Sequence, residues 1–305
     1  MEKYDLVVIG AGPSGYAAAM RALDFKKRTL LIEKDGVGGA GVSNGALSSK
    51  TWWELSREVA SFRKNLKKFN IDVPDVNYRE IQREVRNAVA ERKGMLEDHM
   101  LQMQDSRHAH LLKFMKGTAR VVSRNKVEVA TPYGKEVVWA DYIILATGSR
   151  PRYLPELPID EKVVMTSDGI ENMEDFPESM VIVGAGVIGC EFATIFSAFG
   201  KTKVNLIDKG DRILPFEDED VVKVVERNME NNGILVHRNS RLVNMEIRNG
   251  RVEYELEYND GTKAKFNVEK ALVAIGRTPN FEGLWDESLP IDFTKRGIKD
   301  NDTQT

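Results

Sequence analysis

The chain has 305 residues, 42% of them hydrophobic and 30% charged, with a formal net charge of −3 at neutral pH. That is enough chain for two domains with separate cores, too apolar for a disordered protein, and too weakly charged to single out nucleic acid or a membrane surface as a partner. One cysteine, Cys190, excludes an internal disulfide and a thiolate metal cluster; no apolar run approaches the ~20 residues of a membrane span, and the immediate start on a strand predicts a cytoplasmic protein with no leader.

The first predicted elements are a strand over YDLVVIG, the turn GAGPSG, a helix over YAAAMRALDF and a strand over TLLIEK. This is a βαβ unit whose turn carries Gly10, Gly12 and Gly15 in G-x-G-x-x-G spacing, with Glu33 closing the second strand. One glycine permits the tight turn, one lets a diphosphate approach the backbone, and one lets helix and strand pack closely. The helix start supplies free N–H groups and a positive dipole end for the phosphates, and Glu33 can accept hydrogen bonds from a ribose diol.

Next comes GGAGVSNGALSSK, residues 38–50, a concentration of small side chains found nowhere else in the chain. Residues 52–68 and 78–103 have apolar positions at helical spacing among many charges, which predicts two amphipathic helices separated by Pro74 and Asp75. The stretch from Leu111 to Pro151 predicts short strands and a hairpin leading to a buried strand, YIILATG. Pro151, Pro155 and Pro158 mark a linker.

The first grammar then recurs. ESMVIVGAGVIGCEFATIFSAFG predicts strand, turn and helix with Gly184, Gly186 and Gly189, and the following strand KVNLID ends in Asp208. Two fingerprints, each in the right context and each with its acidic residue, point to two dinucleotide sites. RVEYELEYNDGTKAKFNVEKALVAIG alternates around Asn-Asp-Gly, a hairpin signal. The expected fold class is α/β: two Rossmann-like three-layer domains with a long helical insertion in the first. Expected boundaries are 1–150, containing helices over 50–105; 151–280; and 281–305 as a return segment.

Six ordered motifs carry a resemblance across nearly the whole chain: GAGPSG at 10–15, GG at 38–39, SSK at 48–50, ATGSRP at 146–151, GAGVIGCEF at 184–192 and AIGRTPN at 274–280. The chain resembles the FAD-dependent pyridine nucleotide-disulfide oxidoreductases, the family of dihydrolipoyl dehydrogenase, glutathione reductase and soluble pyridine nucleotide transhydrogenase. The resemblance implies that the first fingerprint holds the ADP half of FAD and the second holds NAD(P)H against the opposite face of the flavin ring. It places Gly10, Gly12, Pro13, Ser14, Gly15, Glu33 and Lys34 at the FAD adenosine and diphosphate, with Gly38, Gly39 and Ala40 further along the diphosphate. Gly117, Thr118 and Ala119 would lie near the adenine, and Ala146, Thr147, Gly148 and Ser149 would flank the cofactor.

By the same resemblance Lys50 is the lysine beside flavin N5, where a cation favours the anionic reduced ring, and Glu191 is its ion-pair partner. Gly184, Gly186, Val187, Ile188, Gly189 and Asp208 would bind the nicotinamide nucleotide, with Ala274, Gly276 and Arg277 closing over it. Asp208 favours NAD(H), because a carboxylate bonds the 2′-hydroxyl and repels a 2′-phosphate; Lys201, Lys203 and Lys209 nearby leave room for NADP(H).

Two departures stand out. Disulfide-reducing members carry two cysteines between GG and SK, and the aligned positions here are Gly41 and Ala46. Cys190, in the second glycine turn, reads as a small buried residue. The final RGIKDNDTQT resembles the approach to the family's second flavin motif, beyond which relatives carry a dimer-forming domain with a His-Glu pair; a truncated copy of a longer, homodimeric flavoprotein is expected. His99, His108, His110 and His237, the last expected to begin a strand, read as surface residues without metal-ligand spacing. The expected function is hydride transfer from a nicotinamide nucleotide through FAD directly to an acceptor: a second nicotinamide nucleotide, a quinone, a dye or oxygen. The alternative is a catalytically silent, nucleotide-sensing homologue.

Overall fold

A computed structural model describes residues 1–72, 75–105, 109–294 and 297–299. Pro74, His108 and most of RGIKDNDTQT, on which expectations were placed, lie outside the described residues. From the N-terminus come β1 (Lys3–Ile9), α1 (Pro13–Asp24), β2 (Thr29–Glu33), α2 (Gly39–Val42), α3 (Ala46–Lys68) and α4 (Tyr78–Asp105). Then follow β3 (Leu112–Lys116), β4 (Thr118–Ser123), β5 (Lys126–Thr131), β6 (Gly134–Leu145) and a short β7 (Ser149–Pro151). After β8 (Val164–Met165) come β9 (Ser179–Val183), α5 (Val187–Phe199), β10 (Lys203–Ile207), α6 (Glu219–Asn231) and β11 (Leu235–His237). β12 (Ser240–Arg248), β13 (Arg251–Tyr258), β14 (Lys263–Val268) and β15 (Lys270–Val273) complete the main framework.

These elements form two compact α/β units. The first comprises Met1–Ser43, Ala90–Arg150 and the described part of Pro279–Thr305. The second comprises Asn44–Val89 and Pro151–Thr278.

In the first unit the sheet order is β3-β2-β1-β6-β5-β4. β3, β2, β1 and the C-terminal half of β6 run parallel, whereas β6, β5 and β4 form an antiparallel meander. β1 and β2 are continuous apolar runs because both of their faces are covered. Val8 and Leu31 pack against Ala19 and Leu23 of α1 and Met100 of α4. Val7, Ile9, Leu30 and Ile32 pack on Val121, Val127 and Val129. The order reverses between β1 and β6, which opens a crevice at the carboxyl ends of the strands. β6 departs from the expected buried strand. Its pairing with β5 ends at Trp139, and from there to Leu145 it pairs with β1 alone, leaving Tyr142, Ile144 and Leu145 exposed.

The second unit repeats the plan as an all-parallel sheet of order β11-β10-β9-β15-β8, reversing between β9 and β15. The β12–β14 meander covers one face, with Met245, Val252, Tyr254 and Leu256 against Val181, Val183 and Ile207. Its β13–β14 hairpin turns at Asn259, Asp260 and Gly261, as the sequence predicts. α5 and α6 cover the other face.

The helical stretch expected entirely in the first domain divides instead, and residues 44–89 count with the second unit. The cause is aromatic burial: Trp52 of α3 stands edge-on to Phe199 of α5 and 5.3 Å from the Tyr78 ring, and the Tyr78 hydroxyl donates to Ile170 O. α3 also begins earlier than expected, at Ala46, burying Ser48 and Ser49. The stretch 38–50 therefore holds two helical pieces, separated at Ser43–Gly45.

Candidate nucleotide-binding sites

The two glycine turns superimpose in their local chemistry. Gly10 and Gly184 both have φ +102°, outside the range of ordinary side chains. A Cβ on Gly10 would meet Ala146 O at 2.3 Å, and one on Gly184 would meet Ala274 O at 2.5 Å. A Cβ on Gly15 would lie 1.8 Å from Gly10 O, and one on Gly189 1.9 Å from Gly184 O, so helix and strand approach to backbone contact in both. Gly12 and Gly186 are the N-cap residues of α1 and α5, and neither helix has a capping side chain or an acidic residue in its first turn. α6 is the contrast: Asp218 caps it by accepting from Asp220 N–H and Val221 N–H. α1 and α5 thus present uncapped, positively polarised ends suited to phosphate, while α6 is already closed.

Both acidic residues sit at strand ends, tied to these turns. Glu33 Oε2 accepts from Ala11 N–H at 2.7 Å, and its Oε1 accepts from Asp35 N–H at 2.9 Å. Asp208 Oδ2 accepts from Ala185 N–H at 2.7 Å, and its Oδ1 accepts from Gly210 N–H at 2.7 Å. Each carboxylate is thereby bonded to the alanine of its own glycine turn.

Around the first turn, Pro13 occupies the first helical position, where its missing N–H is no loss, and Ser14 is exposed beside it. Gly38 N–H donates to Ala11 O, and a Cβ on Gly39 would come within 3.0 Å of Gly12 Cα. A second glycine loop therefore crosses the first, with Ala40 exposed next to it. Lys34 is exposed and near Asp35. Gly117 N–H donates to Glu33 O, which sets exposed Thr118 and buried Ala119 beside the acidic residue. Ala146 N–H donates to Ile9 O, and Gly148 has φ +68°.

Sequence reasoning missed the residue that pins this last loop. Asn280 N–H donates to Gly148 O, its Nδ2 donates to Thr147 O, and Thr147 Oγ1 donates back to Asn280 O at 2.6 Å. Asn280 belonged to the AIGRTPN motif, so a signal existed. Arg150 beyond Ser149 grips Glu282, whose exposed carboxyl is held down to about 2.

Around the second turn, Leu214 takes the place of Gly38: its N–H donates to Ala185 O at 2.8 Å, from a backbone at φ +47°. Among the described residues nothing lies within 4 Å of a Cβ built on Gly186, whereas one on Gly12 would have Gly39 Cα at 3.9 Å. Val187 is exposed at the start of α5 and Ile188 is partly buried behind it. Gly276, at φ +109°, accepts from Arg152 N–H through its carbonyl. Arg277 stands close enough to Asp168 to oppose the upward push that burial gives that carboxyl, whose Oδ1 is buried without a hydrogen-bond partner among the described residues. Asp168 carried no motif in the sequence.

Lys50 and Glu191, predicted as a pair, are one. Lys50 Nζ contacts Glu191 Oε1, and Ser49 Oγ donates to Glu191 Oε2 at 3.3 Å. Lys50 is 63% exposed and Glu191 16%, because α3 and α5 pack along the serine face that ends in Lys50. Cys190 is buried as expected; desolvation first, then Asp208 and Glu226, pushes its thiol up to about 12, which keeps it unreactive. A Cβ on Gly41 would fall 2.2 Å from Pro13 Cγ, so the aligned cysteine position is closed to any side chain.

Two histidines are not the surface residues expected. His99 Nδ1 meets the Tyr16 hydroxyl between α4 and α1. His237 ends β11 rather than beginning a strand, and lies half-buried with Nδ1 2.8 Å from the Tyr258 hydroxyl and Nε2 3.3 Å from Asn205 Oδ1; burial holds its pKa down. His110 is exposed. Among the described residues no group of three or more His, Cys, Asp and Glu side chains is placed to hold a metal ion, and no helix is long and apolar enough to cross a membrane.

Residues 4–305 match the family described as pyridine nucleotide-disulphide oxidoreductase. The chain is 34% identical over 304 residues to a dihydrolipoyl dehydrogenase of Bacillus subtilis (strain 168), covering 97% of this chain and 63% of that protein. It is 32% identical over 299 residues to a soluble pyridine nucleotide transhydrogenase of Hahella chejuensis, covering 97% and 62%. Among solved structures, LpdA from Mycobacterium tuberculosis gives a TM-score of 0.83 at 23% identity, covering 97% of this chain and 63% of that one. The HOCl-induced flavoprotein disulfide reductase RclA from Escherichia coli gives 0.80 at 22%, covering 98% and 62%. At those identities the two structures share the fold. The chain spans about three fifths of the length of the curated relatives it matches.

Proposed function

The chain belongs to the pyridine nucleotide-disulphide oxidoreductase family, a family of flavoprotein oxidoreductases, and from that premise we propose that it moves a hydride from a nicotinamide nucleotide through FAD to an acceptor without a redox disulfide. FAD, when bound, supplies the hydride-accepting ring and the onward transfer of electrons. The observation that carries the reading is the pair of equivalent, uncapped glycine turns, one in each unit.

The first turn suits FAD. Backbone from Gly10–Gly15 and from Gly38–Gly39 would line the diphosphate, Glu33 would take the adenosine ribose, and Thr118 and Ala119 would border the adenine. Ala146–Ser149, fixed by Asn280, would flank the rest of the cofactor. The cradle fits because side chains are excluded where a diphosphate must pass: a Cβ on Gly39 would touch the Gly12 backbone.

The second turn suits NAD(H). Gly184–Gly189, with Val187 and Ile188 opening α5, would hold the diphosphate; Ala274–Arg277 would border the nicotinamide half. Asp208, fixed by two backbone donors, disfavours a 2′-phosphate. Lys50 would place a cation beside the reduced ring, and Glu191 would hold that lysine in position.

The missing thiols define the finer reading. Gly41 and Ala46 occupy the aligned cysteine positions, and contact with Pro13 leaves no room for a sulfur at 41. Electrons would therefore pass directly onward to a second nicotinamide nucleotide, a quinone or a dye. The test is steady-state NADH oxidation by the purified protein with a quinone or a nicotinamide analogue as acceptor, against lipoamide. Turnover with the former and none with lipoamide is expected; lipoamide turnover would overturn the reading, and NADH binding with no turnover on any acceptor would favour a silent, nucleotide-sensing homologue.

A further inference from the structure

The loop from Asp208 to Asp218 is tied down along its length. Gly210 N–H donates to Asp208 Oδ1, Asn239 N–H donates to Gly210 O, and Arg212 Nη2 donates to Pro215 O at 2.7 Å. Leu214 N–H bonds Ala185 in the glycine turn, Ile213 is fully buried, and Glu217 N–H donates to Leu214 O. Yet Phe216, in the middle of this anchored segment, is 96% exposed and makes no ring contact among the described residues. A large aromatic held out by a fixed backbone is unlike a side chain on a loose tip, because a loose tip could fold its ring back.

Its place gives the ring a specific neighbour. Leu214 and Asp208 bond the same residue, Ala185, one through its carbonyl and the other through its N–H. Two residues on, Phe216 stands within about 7 Å of chain from Leu214. Phe216 thus belongs to the loop that leaves the end of β10 through Asp208, and not to the loops at the ends of β15 and β8. Among the described residues nothing lies within 4 Å of a Cβ on Gly186, and Val187 is 62% exposed, so a ligand over the turn would meet apolar surface there too. A dinucleotide whose diphosphate sits on Gly184–Gly189 and whose ribose meets Asp208 would project its base beyond that ribose, on the side of the crevice from which the Phe216 loop starts.

We infer that Phe216 is the stacking platform for the adenine ring of the nicotinamide nucleotide bound on the second unit. This rests on the NAD(H) reading of that turn. A flat apolar face offers the base a π surface without a hydrogen-bond code, so it grips any adenine-bearing ligand, and its affinity comes from the ring alone.

The test is equilibrium binding of NADH, ADP-ribose and nicotinamide mononucleotide to the purified protein and to its Phe216→Ala and Phe216→Trp variants, with flavin content as the control for folding. Phe216→Ala should weaken NADH and ADP-ribose about tenfold, as loss of a base–aromatic stack does. It should leave nicotinamide mononucleotide unchanged, and Phe216→Trp should restore the affinity. Unchanged ADP-ribose binding in Phe216→Ala overturns the inference, as does an equal loss for both half-ligands, which would mean a distorted loop. If the unsubstituted protein binds no NADH, the NAD(H) reading falls and the inference falls with it; if it binds NADH and Phe216→Ala binds it equally, only the inference falls.

Discussion

The first glycine turn and the second are the same device with different lids. Both have glycine at φ +102°, a Cβ-free contact between helix and strand, an uncapped helix start and a carboxylate bonded to the middle alanine of GAG. In the first unit the Gly38–Gly39 loop crosses the turn closely enough that a side chain on Gly39 would touch Gly12. In the second, Leu214 makes the equivalent bond, and among the described residues nothing lies within 4 Å of a Cβ on Gly186. That crossing is the clearest difference between two otherwise equivalent turns.

The largest effects should come from the shared contacts. Gly15→Ala forces a methyl into Gly10 O and should cost about 3 kcal/mol, the upper end for overpacking; flavin absorbance per chain should fall to background. Gly189→Ala should do the same to the second turn, abolishing NADH binding in calorimetry while flavin remains. If either variant loses both ligands, the two turns are not independent. Next come the carboxylates. Glu33→Ala should weaken flavin retention and Asp208→Ala should weaken NADH, each by roughly tenfold to a hundredfold, the worth of hydrogen bonds to a charged group. Asp208→Ala should also narrow the preference for NADH over NADPH.

Restoring thiols by Gly41→Cys and Ala46→Cys sharpens the comparison from another side. The clash with Pro13 predicts a lower melting temperature, equivalent to about 1–3 kcal/mol, and no gain of lipoamide reduction. Lys50→Met should change stability by less than about 1 kcal/mol, because Lys50 is mostly exposed. Its effect belongs in the rate of reduction by NADH. The smallest effect is a pH dependence. The folded pKa of His237 is depressed, so protonation favours the unfolded chain and stability should fall as pH drops below about 6.5. His237→Gln should flatten that slope in melting curves taken from pH 7.5 to 5.

The turns were legible because close backbone approach forces glycine at fixed spacing, and the acidic residues follow at strand ends. The pairing of Lys50 with Glu191 was legible only through motif resemblance, since α3 and α5 are far apart in sequence. Where α3 would pack was not legible: its amphipathic pattern fits any apolar partner, and burial of Trp52 against Phe199 decided it. Leu214 left no sign because a backbone N–H bond needs no particular side chain. His99 and His237 read as surface residues because their partners, Tyr16, Tyr258 and Asn205, come from other elements. The exposure of Tyr142, Ile144 and Leu145 was hidden for the opposite reason, since an apolar run looks buried whether or not a neighbouring strand arrives.

Anaerobic titration of the purified protein with NADH, followed by flavin absorbance, tests the central claim most directly. Complete bleaching by one equivalent, with no long-wavelength band from a thiolate against the flavin, is the predicted result. Flavin that stays oxidised with NADH in excess, although the protein binds NADH, would contradict direct transfer.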